Sequence, residues 1–120
     1  MTETLTDAAI RVLLVEDDEA DSLRTRSLLE QTGQRFEIGW ATSFEEGLSA
    51  LRHDGYDVAL VDYQLGGPTG LYLIRAAVKE GLTAPMILLT GRDDREVDLA
   101  ATQAGAADFL VKSEITSALL

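Results

Sequence analysis

The chain predicts an α/β fold, a doubly wound parallel sheet with helices on both faces. Three observations carry that prediction. Short apolar runs recur at Val12-Leu13-Leu14-Val15, Val58-Ala59-Leu60-Val61, Met86-Ile87-Leu88-Leu89 and Phe109-Leu110-Val111. Segments with helical spacing alternate with them. The inner runs are continuously apolar, as strands buried on both faces require.

The elements follow in order. Arg11 to Val15 reads as strand 1, and about Glu19 to Thr32 as helix 1, with Gly33 where a C-terminal cap would sit. Phe36 to Ala41 is a weaker strand 2. Ser43 suits an N-cap, and Glu46 three residues on completes a capping box. Phe44, Gly47, Leu48 and Leu51 then share one helical face, and Gly55 ends helix 2. Tyr56 to Asp62 is strand 3. Pro68 suits the first turn of helix 3, whose buried face is expected at Leu71, Ile74 and Val78, and Gly81 stops it. Pro85 opens strand 4, a tolerated place for proline. Asp93 or Asp94 can cap helix 4, which carries Val97, Ala100, Ala101 and Ala104 on one face. Gly105 ends it, and Asp108 to Lys112 is strand 5. Ser113 caps a last helix that stops at Leu120, so the expectation is a truncated final helix and a chain that continues in its natural context. Residues 1–8 read as a flexible N-terminal segment and 9–120 as one domain.

Composition narrows the function. With 10 basic and 21 acidic residues the net charge is −11, which disfavours direct binding to nucleic acid or to an anionic membrane surface. No apolar run approaches the roughly 20 residues of a membrane span. The polar start, Met1 to Asp7, has no signal-peptide character, and from this a cytoplasmic location is expected. There are no cysteines, which excludes thiol chemistry and Cys-based zinc sites. His53, the one histidine, falls near the end of helix 2 and reads as a solvated surface residue. Trp40 on strand 2 reads as core or edge packing.

What ends each apolar run is more telling. Strand 1 runs into Glu16, Asp17, Asp18 and Glu19; strand 3 ends on Asp62, strand 4 on Thr90 and strand 5 on Lys112. In a parallel sheet these acids, hydroxyl and ammonium share the carboxyl edge, where open α/β sheets place their ligands. No glycine-rich phosphate loop follows strand 1, so nucleotide binding is disfavoured.

The order acidic pair, Asp, Thr, Lys resembles the receiver domain of two-component response regulators, from about Arg11 to Ile115. Leu13-Leu14-Val15-Glu16-Asp17-Asp18, Leu60-Val61-Asp62, Ile87-Leu88-Leu89-Thr90-Gly91, the run Ala104 to Lys112, and Gly70 eight residues after Asp62 carry the resemblance. It implies a flavodoxin-like, five-stranded sheet of order 2-1-3-4-5. It also implies a signalling switch that takes a phosphoryl group from a phosphohistidine of a histidine kinase or histidine phosphotransfer protein. Asp62 would be the acceptor, catalysing nothing beyond its own phosphorylation and dephosphorylation. A Mg²⁺ (or Mn²⁺) ion would be held by Asp17, Asp62 and the backbone carbonyl of Gln64, with Glu16 acting through a water. Such an ion offsets the repulsion between a carboxylate nucleophile and an anionic phosphoryl group. Asp18 is expected outside the metal site, as a helix cap. Lys112 would pair with a phosphoryl oxygen, and Thr90 would donate to another. Gly91 leaves room for the group. Thr90 and Phe109 would form the switch, changing the helix 4–strand 5–helix 5 surface, through which a fused output domain or a homodimer could be addressed. The stretch Gly81 to Thr116 resembles receivers attached in front of sensory or enzymatic domains.

Departures matter too. Ser113 stands where the family commonly has a proline after the lysine, so the geometry of the Lys112–Ser113 bond is open: a cis bond before a non-proline costs about 2.5–4 kcal/mol. Gly66 and Gly67 replace a common proline and make the loop after Asp62 more flexible. Gln64 and Arg92 stand where side chains would influence the lifetime of an acyl phosphate. Two competing readings remain. A pseudo-receiver would be a phosphorylation-independent interaction module. An aspartate-nucleophile phosphohydrolase would need Asp-x-Asp after its first strand, whereas Asp62 is on the third and is followed by Tyr63-Gln64.

Overall fold

A computed structural model describes residues 9–53, 55–91 and 95–112, and within the last segment the side chains of 95–98, 109 and 111 lie outside the description. Strands β1 (Ile10–Val15), β2 (Phe36–Ala41), β3 (Val58–Asp62), β4 (Met86–Thr90) and β5 (Asp108–Val111) alternate with helices α1 (Glu19–Glu30), α2 (Phe44–His53), α3 (Gly70–Lys79) and α4 (Arg95–Ala104). The sheet is parallel throughout, in the order β2-β1-β3-β4-β5. This is the expected doubly wound topology. β1 is followed by β2 on one side and is paired with β3 on the other, so the strand order reverses beside β1.

Alternation along each strand sorts its side chains onto two faces. Leu13, Val15, Ala59, Val61 and Leu88 enter one core with Leu48 and Leu51 of α2, Leu73, Ile74 and Ala77 of α3, and Ala101 and Ala104 of α4. Val12, Leu14, Leu60 and Leu89 enter the opposite core with Leu29 of α1. β2 is one of the two edge strands, and only its last residue, Ala41, is fully buried. That explains its weak signal in the sequence.

Several local readings hold. Asp18 caps α1, its Oδ1 accepting from the Asp21 N–H at 2.9 Å. Gly33, Gly81 and Gly105, the expected helix stops, take φ of 82°, 80° and 103°. Others need correction. In the box before α2, Ser43 Oγ accepts from the Glu46 N–H, but Glu46 reaches back to the N–H and hydroxyl of Thr42 rather than to Ser43. Pro68 precedes the Thr69 N-cap of α3 instead of lying inside its first turn. The buried face of α3 is Gly70, Leu73, Ile74 and Ala77, so the expected set of Leu71, Ile74 and Val78 was out of phase. Leu71 is half-buried and Val78 is 48% exposed. Gly70 sets the phase: a Cβ there would overlap the carbonyl oxygen of Asp62, so α3 starts directly against β3 with its smallest residue inward.

The N-terminal segment 1–8, Arg92, the Asp93 or Asp94 cap, the Val97 side chain, and Ser113 with the final helix all lie outside the described residues. Among the described residues, no helix is long and apolar enough to cross a membrane.

Candidate functional site

The strand register assembles the site. Val15 pairs with Val61, Asp62 with Leu89, and Thr90 with Val111. The residues that close each strand, or follow it by one or two positions, therefore line one edge. Glu16, Asp17, Asp62, Gln64, Thr90, Gly91 and Lys112 all face a cleft of about 650 Å³, joined by Asp18, Asp21, Tyr63 and Gly66. Asp62 and Thr90 are buried at their strand ends, and Glu16 is fully enclosed.

β2 contributes from the edge. The Glu16 N–H donates to Ala41 O at 2.9 Å, and the Trp40 Nε1–H donates to Glu16 O at 2.7 Å. Both backbone groups of the enclosed acid, its N–H and its C=O, are thereby held. Arg26 of α1 lies over the Trp40 ring, 5.0 Å from its centroid. Trp40 is thus packed as expected, but its bond to the acid was not readable from spacing.

Lys112 is the hub. Its Nζ lies 2.8 Å from Glu16 Oε1, 2.9 Å from Asp21 Oδ2 and 3.0 Å from Asp62 Oδ1. Burial pulls its pKa down, but the contacts with Glu16, Asp21 and Asp62 more than offset that, so it is raised and the ammonium keeps its charge. Glu16 moves the other way. Burial first, and then the neighbouring Asp62, push its pKa from 4.5 to about 7 against the pull of Lys112.

Glu16, Asp17 and Asp62 each bring a carboxylate oxygen within 4.8 Å of the others. Glu16 Oε1 is buried, and its contact with Lys112 is an ion pair outside hydrogen-bond geometry, so this oxygen has no hydrogen-bond partner. An all-oxygen set with an orphaned carboxylate oxygen fits a hard divalent cation, which takes oxygen ligands and offsets their mutual repulsion. Asp18 is committed to its cap, consistent with its place outside this cluster. The loop after Asp62 approaches the cluster closely: a Cβ on Gly66, at φ 80°, would stand 3.3 Å from Asp17 Oδ2.

Glu16, Asp17, Asp18, Asp62, Thr90 and Lys112, singled out at strand ends in the sequence, thus meet in one cleft, while Glu19 lies outside it. Asp21, one turn into α1, was missed in the sequence. Its i+3 spacing from the Asp18 cap was the available signal. Arg24 was missed as well; its Nη1 donates to Lys112 O at 3.0 Å. His53 stays exposed on α2, its ring Nδ1 2.9 Å from Ser49 O. The Phe109 side chain and the Lys112–Ser113 bond lie outside the described residues.

Comparison with known proteins agrees with this geometry. The profile of the response regulator receiver domain matches residues 12–120. Transcriptional regulatory protein QseB of Escherichia coli O157:H7 is 32% identical over 103 residues, 86% of this chain and 46% of that protein. Transcriptional regulatory protein AfsQ1 of Streptomyces coelicolor is 36% identical over 101 residues, 84% of this chain and 44% of that protein. The chain spans about half the length of the curated relatives it matches. These relatives are named as transcriptional regulators, a different attachment from the sensory or enzymatic one suggested by Gly81 to Thr116. Among solved structures, a CheY-like receiver domain protein from Methanospirillum hungatei aligns with a TM-score of 0.77 at 29% identity, over 92% of this chain and 86% of that one. The receiver domain of the putative response regulator NarL from Mycobacterium tuberculosis gives 0.83 at 26% identity, over 92% and 88%. A parallel sheet of order 2-1-3-4-5, an acidic, hydroxyl and ammonium set along its carboxyl edge, and a profile covering all but the first eleven residues lead to one conclusion: the chain belongs to the response regulator receiver family of two-component signalling.

Proposed function

We propose that this domain accepts a phosphoryl group from a phosphohistidine onto Asp62, in a reaction that requires Mg²⁺, and so acts as a signalling switch. The observation that carries the reading is the convergence of Asp62, the Glu16–Asp17 pair, Thr90 and Lys112 on one cleft. A carboxylate oxygen of Asp62 attacks phosphorus, an O–P bond forms and the N–P bond breaks. The departing imidazole takes up a proton from solvent. Glu16, Asp17 and Asp62 would hold the cation, with the Gln64 backbone carbonyl as a further ligand and Glu16 acting through a water. When bound, the ion supplies positive charge against the phosphoryl oxygens. Lys112 pairs with one phosphoryl oxygen, and the hydroxyl of Thr90 donates to another.

Thr90 ends β4 and Lys112 follows β5, so movement of either is felt in the α4–β5 surface. That surface, with Phe109 as the second switch residue, is the proposed output, addressed to a fused domain or a second copy of the chain. The partner upstream would be a histidine kinase or a histidine phosphotransfer protein.

The test is intact-mass spectrometry after incubation with acetyl phosphate, with and without Mg²⁺, alongside Asp62→Asn. A Mg²⁺-dependent adduct absent from folded Asp62→Asn is expected. An adduct that persists on that variant places the acceptor elsewhere. No adduct on folded wild-type protein favours a phosphorylation-independent interaction module.

A further inference from the structure

Lys112 is held from the side by a helix that the reaction above does not use. Asp21 Oδ2 accepts a hydrogen bond from Lys112 Nζ at 2.9 Å, and Arg24 Nη1, one turn further along α1, donates to Lys112 O at 3.0 Å. One helix thus grips both the ammonium and the main chain of this residue. An ammonium carries three hydrogens and no more. Three carboxylate oxygens, from Glu16, Asp21 and Asp62, already lie within 3.0 Å of it. The Glu16 contact is outside hydrogen-bond geometry whereas Asp21 accepts a hydrogen bond, so a phosphoryl oxygen arriving on Asp62 competes with Asp21 for the ammonium.

The three partners are not equally easy to give up. The side chains of Glu16 and Asp62 are 0% and 6% exposed, so releasing either strands a carboxylate away from water. Asp21 is 43% exposed, and water replaces the lost hydrogen bond at once. The anchored carbonyl lets the ammonium leave Asp21 while the end of β5 stays in place.

We propose that Asp21 is a positioning residue that parks Lys112 in the unphosphorylated state and competes with the phosphoryl group for its ammonium. The inference rests on the receiver reading of Asp62 and Lys112 and adds a fourth carboxylate that sets how readily the switch is thrown. Asp21 touches neither the phosphoryl group nor the cation; it acts through Lys112. A merely structural acid would weaken the phosphorylated state when removed. A competitor strengthens it.

Beryllofluoride, a stable mimic of a phosphoryl group on a carboxylate, separates these outcomes. It is titrated in the presence of Mg²⁺, with Trp40 fluorescence as the readout, against wild type, Asp21→Ala, Lys112→Ala and the double variant. Asp21→Ala should bind the mimic about three- to fivefold more tightly, the scale of a half-exposed ion pair. Asp21→Asn keeps the shape, loses the charge, and should move the same way. In the Lys112→Ala background the Asp21 effect should vanish. Unchanged or weaker binding by Asp21→Ala overturns the proposal. So does an equal gain in the Lys112→Ala background, which would mark general charge repulsion. A wild-type protein that binds no beryllofluoride with Mg²⁺ overturns the receiver reading and this inference together. Normal wild-type binding with no Asp21 effect overturns this inference alone.

Discussion

Replacing Gly70 by alanine tests how the strand that ends on Asp62 is supported. A Cβ on Gly70 would overlap the carbonyl oxygen of Asp62 and stand 2.9 Å from Val61 Cγ1 and 3.0 Å from Asp62 C. Carbon atoms at rest sit about 3.5–4.0 Å apart, so α3 has to retreat by on the order of 1 Å. Two of the three obstacles are backbone and cannot rotate away. Overpacking of this kind costs about 1–3 kcal/mol. The helix propensity of alanine over glycine returns up to about 1 kcal/mol, less at a first helical position. The net expectation is a loss of about 1–2 kcal/mol in a urea titration followed by circular dichroism. Because the clash falls on Asp62 itself, the rate of adduct formation with acetyl phosphate should drop by ten- to about a hundredfold, the cost of an ångström-scale misplacement. Gly67→Ala is the control: nothing lies within 4 Å of its Cβ, and it should leave both quantities nearly unchanged. Wild-type stability together with a wild-type rate in Gly70→Ala would refute the argument, because α3 would then have room to spare.

Three further outcomes are expected. Asp17→Asn should weaken Mg²⁺ binding by at least about tenfold, since even partners outside the ligand shell are worth roughly 10–100-fold, while the fold stays as stable or gains from reduced repulsion; identical Mg²⁺ titrations would remove Asp17 from the metal site. Glu16 binds its proton more tightly in the folded chain, at about 7 against 4.5, so the metal-free protein should lose stability as pH rises from 4.5 through 7. The loss is about 3 kcal/mol at one unit per 1.36 kcal/mol, read from urea midpoints at pH 5 and pH 8 in chelator, and a slope unchanged in Glu16→Gln would assign it to another group. Leu73→Ala, at a fully buried position on α3, should cost about 2–5 kcal/mol, whereas Leu71→Ala should cost less; the reverse order would restore the other helix phase.

The sheet was legible because burial on both faces forces continuous apolar runs, such as Val12 to Val15 and Met86 to Leu89, and helical segments alternate with them. The site was legible because a parallel sheet puts every strand end on one edge, so Glu16, Asp62, Thr90 and Lys112 could be placed together without any contact being known. Helix phase was harder. Val78 and Leu73 are both apolar, and the close approach of Gly70 to the Asp62 carbonyl, which favours Leu73 inward, was not visible in the spacing. Asp21 and Arg24 escaped for a related reason. Their partner is 91 or 88 residues away, and helix periodicity says nothing about a contact of that range. The bond from Trp40 to the carbonyl of Glu16 is equally invisible, since it depends on the register of an edge strand.

Glu16, Asp21 and Asp62 gather around a single ammonium, with Asp17 in the same cleft, and this bears on which anions can enter. Here an anion entering the cleft meets more carboxylate than ammonium. Two like charges at 4 Å repel by about 4 kcal/mol near a protein surface, so idle phosphate is turned away. A donor that brings its own bond energy, at a site whose charge has first been rebalanced, is not. The surplus of acid thus ties the entry of any anion to a prior offset of that charge.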